Sequence, residues 1–141
     1  MSTLSNTDLT VTDVTATDIN TTNLKNASGA EASTPAEINS GRAKAWVDYN
    51  QQTPAVIGSF GVSSVTDNSA GNFTVNFSTA FADTTFVGVT SMNLYNRGSQ
   101  ATSLLTKTTG GMSFGTNYEA SPDGNTIADA EVNMCVFFGD Q

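Results

Sequence analysis

The sequence predicts an all-β protein: an antiparallel β-sandwich head of jelly-roll-like type behind an extended, repeat-containing amino-terminal arm, assembled as a trimer. Three observations carry this expectation. From Arg42 onward, apolar and polar residues alternate in short runs broken by frequent turn residues, the pattern of half-buried strands. Thr, Ser, Asn and Gly abound while charged residues reach only 13 %, as in β-proteins whose outward positions carry hydroxyls and amides. Ahead of that region, aliphatic residues recur at every fifth position, a period that fits neither an α-helix nor a flat strand.

The arm and its linker cover residues 1–40, and the head covers residues 41–141. In the arm the repeat places Leu4, Leu9, Val14, Ile19 and Leu24 in register, each of the last four preceded by Asp or Asn and, one earlier, by Thr. Ordering such a segment costs several times what five buried aliphatics return, so a lone arm does not fold. Three uses of the repeat remain open. The chain winds around two identical chains, so that the aliphatics meet on a threefold axis; or it lies along, or is anchored in, a partner protein; or it makes a pentapeptide-type solenoid coil. The solenoid is the weakest of these, because the tract supplies barely one coil and solenoids stack several. Asp8, Asp13 and Asp18 form a column in a trimeric shaft. A column of carboxylates suits a hard cation such as Ca²⁺, but a solvated face that discourages aggregation is the simpler reading, and no metal site is predicted. Beyond Leu24 the repeat stops. Glu31 to Gly41 reads as a linker, within which Thr34-Pro35-Ala36-Glu37 suits one short helical turn with Thr34 as N-cap and Pro35 at the first helical position.

In the head, Lys44 to Tyr49 alternates Ala45, Val47 and Tyr49 against Lys44, Trp46 and Asp48, which sets Trp46 opposite the core face. Gln51-Gln52-Thr53-Pro54 breaks this strand, and Ala55 to Phe60 starts another. Val62 to Thr66 and Asn72 to Ser78 flank a polar, Gly-containing loop and form a hairpin, with Phe73, Val75 and Phe77 facing inward. Val62 and Val65 stand three apart, so a bulge is expected in the first of these strands. Further strands are read at Phe86 to Met92, Ser103 to Thr108 and Met112 to Thr116, with Gly110-Gly111 as the turn between the last two. Ser121-Pro122-Asp123-Gly124-Asn125 is a turn, and the closing strand runs from Ala130 to Phe138 with Val132, Met134, Val136 and Phe138 on one face.

Composition excludes several functions. A net charge of −8 with five basic residues leaves little to neutralise phosphates, so no nucleic-acid partner is expected. No apolar run is long enough to insert in a membrane, and the amino end lacks the basic and apolar regions of a secretory signal. The chain has no His, the commonest general base, and its head carboxylates are scattered without a spacing that pairs them for hydrolysis. Cys135 sits inside a strand beside Met134 and Val136, with no neighbouring base, and reads as a structural thiol. No enzyme, no catalytic residue and no cofactor is expected. For binding, two stretches stand out as loops, Asn93 to Gln100 and Gly115 to Ser121. Each sets a Tyr beside Asn and a charge, which suits sugar or protein recognition and makes Asn93, Tyr95, Asn96, Arg97, Asn117 and Tyr118 the candidate receptor residues; ordinary loops whose tyrosines cover the core edge are the simpler reading.

Four words of the head carry a resemblance. Gly41-Arg42-Ala43-Lys44-Ala45-Trp46-Val47-Asp48-Tyr49-Asn50, then Phe60 to Asn68, then Gly71-Asn72-Phe73-Thr74-Val75-Asn76-Phe77, and finally Cys135-Val136-Phe137-Phe138-Gly139-Asp140 resemble the carboxy-terminal head of tailed-bacteriophage fibre or spike proteins of the cyanophage or marine-phage type. The resemblance covers about residues 41–92 and 130–140 and lapses between Asn93 and Asp129. It implies a virion structural protein made in the host cytoplasm: a short trimeric tail fibre or spike whose arm attaches to other virion proteins of the tail, baseplate or capsid. The β-rich head then contacts a host surface glycan or protein, or a neighbouring virion protein. Two other readings stay open: a capsid decoration or cement protein with its arm laid along capsid subunits, and a carbohydrate-binding module.

Overall fold

A computed structural model of the chain describes residues 33–93, 100–120 and 124–141. The repeat aliphatics Leu4, Leu9, Val14, Ile19 and Leu24 and the Asp8, Asp13 and Asp18 column lie outside the described residues. The chain divides between Pro35 and Ala36, and the second unit, Ala36–Gln141, holds the strands. Helix α1 (Pro35–Gly41) precedes β1 (Ala45–Asn50), β2 (Ala55–Phe60), β3 (Val62–Ser69), β4 (Asn72–Phe77), β5 (Val87–Asn93), β6 (Gln100–Thr108), β7 (Gly111–Ala120), β8 (Gly124–Ile127) and β9 (Val132–Phe138). The strands form two antiparallel sheets, one in the order β2-β1-β9-β5 and the other β3-β4-β7-β6, with β8 added on β7. The protein is an antiparallel sandwich.

Alternation makes the layer between the sheets. Ala45, Val47 and Tyr49 of β1 and Cys135 and Phe137 of β9 are buried, opposite Phe73, Val75 and Phe77 of β4 and Met112 and Phe114 of β7. The aromatic rings cross the layer. Phe137 meets Phe77 edge-on at 4.9 Å and Phe114 at 6.2 Å, while Tyr49 meets Phe73 at 5.4 Å. Rings offset in this way bury large apolar areas in favourable quadrupole geometry. Phe81 and Phe86, stacked at 4.3 Å, cover one end.

Most expected strands appear with their expected faces, including β1 with Trp46 turned outward and β4 with its three inward residues. The expected bulge is present in β3, whose register with β4 shifts between Val62 and Ser64. The expected helical turn with Pro35 first is also present, as α1. Three expectations are corrected. On β9 the core face is Asn133, Cys135 and Phe137, and Met134 on the opposite face is 48 % exposed; the ring of Phe137 finds its aromatic partners only on that side. Gly111 opens β7 and is not part of the turn, because it pairs with both Asn76 and Thr108. Gly124 and Asn125, expected within the turn, belong to β8, which pairs antiparallel with β7. The linker helix runs from Pro35 through Gly41, and its last residues join the head through Lys44 Nζ, which donates to Asn39 Oδ1 at 2.9 Å.

Candidate functional site

A cleft opens on the outer side of the β3-β4-β7-β6 sheet beside the β3–β4 turn, with a volume of about 290 Å³. Its floor follows from pairing. Asn72 of β4 and Ser103 of β6 both lie opposite Gly115 of β7, and Asn117 lies opposite Ile127 of β8. Gly115 keeps this floor low, since a Cβ there would stand 2.8 Å from Ser103 Oγ. Leu105 and Ile127 rise as apolar walls, 49 % and 67 % exposed. The Oδ1 atom of Asn117 is enclosed without a hydrogen-bond partner among the described residues. The polar side chains of Asn72 and Ser103 between two apolar walls suit a polar ligand with apolar edges, such as a sugar ring.

The turn beside the cleft is held rigidly. Gly71 takes φ 63°, and a Cβ there would meet Thr116 O at 2.7 Å, so only glycine fits without displacing β7. Its carbonyl accepts from Thr116 N at 2.7 Å, and its N–H donates to Asp129 Oδ1 at 2.6 Å. Thr116 in turn donates its hydroxyl to Ala128 O at 2.6 Å. These bonds join β4, β7 and the β8–β9 connection into one wall.

Away from the cleft, the outer face of the same sheet carries a ladder of small polar side chains. Asn76 Nδ2 donates to Ser64 Oγ at 3.0 Å and Thr66 Oγ1 at 3.1 Å. Asn68 Nδ2 donates to Thr74 Oγ1 at 2.8 Å, Thr74 and Ser113 hydroxyls bond at 2.8 Å, and Thr106 donates to Ser113 at 2.9 Å. The groups satisfy one another across neighbouring strands.

The candidate receptor residues fall in different places. Asn93 ends β5 and pairs with Val132 in the β2-β1-β9-β5 sheet, whereas Asn117 lies in β7 of the other sheet. Tyr95, Asn96, Arg97 and the Tyr118 side chain lie outside the described residues. The stretch Gly115 to Ala120 is strand rather than loop, because Gly115 to Tyr118 pair with β6 and Asn117 to Ala120 pair with β8. Asn117 is therefore presented by a sheet.

Two buried polar residues escape a reading by motif. Gln51, which the sequence suggests as a strand breaker, is 1 % exposed and clasps the two sheets: Nε2 donates to Asp67 Oδ1 at 3.1 Å and to Ser69 O at 3.3 Å. Asn133 Nδ2 donates to Tyr49 O at 3.2 Å and Ala130 O at 3.1 Å. The signal for both is parity, since Gln51 continues Ala45, Val47 and Tyr49, and Asn133 precedes Cys135 and Phe137 by steps of two. Burial raises the Tyr49 hydroxyl above its usual range, with further help from the charges of Asp67 and Asp129. Burial also pushes the Cys135 thiol up to about 12, so it stays protonated and is no nucleophile near neutral pH. Among the described residues no three Cys, Asp or Glu side chains come together as metal ligands. The exposed Asp83 carboxyl is lowered, chiefly by the Thr85 hydroxyl that donates to it and then by the Thr85 N–H, in a local turn.

No protein-family model matches the chain, and neither does any curated protein or solved structure.

Proposed function

We propose that the chain is a non-enzymatic structural protein of a phage virion: a short trimeric tail fibre or spike whose arm, residues 1–40, attaches to other virion proteins and whose head makes contact with a host surface glycan or protein. One observation supports this reading above the others. The four words that resemble fibre heads fall on β1, β3, β4 and β9; β1, β4 and β9 supply most of the buried layer, to which β7 adds Met112 and Phe114. The stretch between Asn93 and Asp129, where the resemblance lapses, supplies Ser103, Leu105, Gly115, Asn117 and Ile127 to the cleft. A constant scaffold carrying a variable, sheet-mounted cleft is what an adhesin of changing ligand requires. The mechanism is adhesion. Each cleft binds weakly, and three heads joined by one arm bundle gain avidity because the second and third contacts become intramolecular.

The test has two arms. A virion reconstruction places the chain on the tail or spike; its absence from purified particles defeats the reading. On glycan arrays the full-length protein binds a restricted glycan set, and Asn117→Ala weakens that binding about tenfold, as expected for removing one amide contact from a small site. Binding unchanged in Asn117→Ala, Ile127→Ala, Arg97→Ala and Tyr95→Ala removes both the cleft and the stretch from Asn93 to Gln100 as the receptor site.

A further inference from the structure

One row of the outer face of the β2-β1-β9-β5 sheet is apolar from edge to edge. Register sets Phe60 beside Trp46, Trp46 beside Val136, and Val136 beside Val89, one residue from each strand in a single row. Phe60 is 58 % exposed, Trp46 41 % and Val89 58 %. The rows on either side add Met134 and Val87, also about half exposed. The Trp46 ring lies over Gly58 of β2, where an added Cβ would come within 3.4 Å of it, so the indole is spread across the sheet. Scattered exposed apolar residues are ordinary, but a contiguous row across four strands is not.

We infer that this face is where copies of this chain pack against one another, about the axis of the homotrimer proposed above. The area argues for it. These side chains expose roughly 500 Å², at the upper end of what a monomer leaves bare and enough for the dry centre of an interface burying about 800 Å² per partner. Charge argues for a second copy. In a chain of net charge −8, a like-charged copy is best met on a face with few charges; Asp48 is the one charge among the paired positions of this face, and it lies a row away from Phe60, Trp46 and Val89. The polar ladder of the other sheet has its hydrogen bonds made and gains little from burial. The five-residue repeat of the arm, which needs companion chains to fold, independently calls for copies of the same chain. The inference takes only the number of copies from the fibre reading.

Sedimentation velocity on the full-length protein tests it, with circular dichroism and thermal melts to show that each variant is folded. Wild type and the control Thr66→Lys, on the opposite sheet, sediment as trimers at micromolar concentration. Phe60→Lys with Val89→Lys, both at exposed positions, sediments as a folded monomer, or needs at least a hundredfold more protein to assemble. A folded double variant that stays trimeric at wild-type concentrations overturns the inference. If that trimer dissociates in Val14→Asp with Ile19→Asp, the arm alone assembles the protein: the homotrimer stands and the face is idle. A wild type that is monomeric throughout overturns both. A face-dependent trimer absent from virions leaves the inference intact and removes the fibre reading.

Discussion

On the outer side of the β3-β4-β7-β6 sheet, Asn76 reaches Ser64 and Thr66, and Thr74, Ser113 and Thr106 bond in sequence across three strands. On the outer side of the β2-β1-β9-β5 sheet, the equivalent outward positions hold Phe60, Trp46, Val136 and Val89, which stand side by side across four strands and make no such hydrogen bonds through their apolar side chains. Both faces arise from the same two-residue alternation around one shared aromatic layer. Along its ladder the first is finished as it stands, because Asn76, Thr74, Ser113 and Thr106 satisfy one another. The second is finished only when something apolar covers it. The contrast teaches that the outward half of a strand pattern carries as much functional information as the inward half. Under the proposals above it also separates two tasks: binding at the cleft of the polar sheet and contact between copies at the apolar sheet.

Both faces depend on the shared layer, so the largest effect is expected where that layer is opened. Phe137 is fully buried between Phe77, Phe86 and Phe114, and Phe137→Ala is expected to lower stability by about 3–5 kcal/mol in urea titrations. A loss below 1 kcal/mol would mean that the sheets are held independently of this ring.

The next effect distinguishes the sheets by pH. Cys135 and Tyr49 both lie on the β2-β1-β9-β5 sheet, and burial raises both acids in the folded state. Between the unfolded thiol value of 9.0 and the folded value of about 12, the unfolded chain binds fewer protons than the folded one. Stability is therefore complete below pH 9 and falls as pH rises, by about 1.4 kcal/mol per pH unit for the thiol alone. Chemical denaturation at stepped alkaline pH checks this, and Cys135→Ala should flatten the slope. An unchanged slope would assign the alkaline loss elsewhere.

The smallest effect falls on the polar face. Asn76→Ala removes two exposed hydrogen bonds and is expected to cost about 1 kcal/mol while leaving the sedimentation coefficient unchanged. If it altered assembly, the division of labour between the two faces would be wrong.

How much of this was legible in the sequence depends on the range of the interaction involved. The inward faces of β1 and β4 were readable because Ala45, Val47 and Tyr49, and Phe73, Val75 and Phe77, alternate with polar neighbours. On β9 both parities are largely apolar, so alternation does not choose between Val132, Met134, Val136 and Phe138 and the set that contains Cys135 and Phe137. Phe77 and Phe114, far away in sequence, make the choice by receiving the Phe137 ring. Strand β8 carries no alternation of its own and exists through its pairing with β7. Asn117 was visible as a Tyr-flanked amide in an apparent loop, yet its place in a paired strand, and the low floor that Gly115 gives the cleft beside it, required the neighbouring strands.

The sequence by itself determined the all-β class, most strands, the β3–β4 hairpin, the β3 bulge and the outward placement of Trp46. Each rests on local steric preference or on a two-residue period, and these act within a few residues. Tertiary structure alone decided which side of β9 is core, how Gln51 clasps the two sheets, and that Phe60, Trp46, Val136 and Val89 form one row. Trp46 and Val136 are neighbours because antiparallel register joins the first strand to the last. No local pattern records a pairing over that distance, since it is selected by the whole buried layer at once.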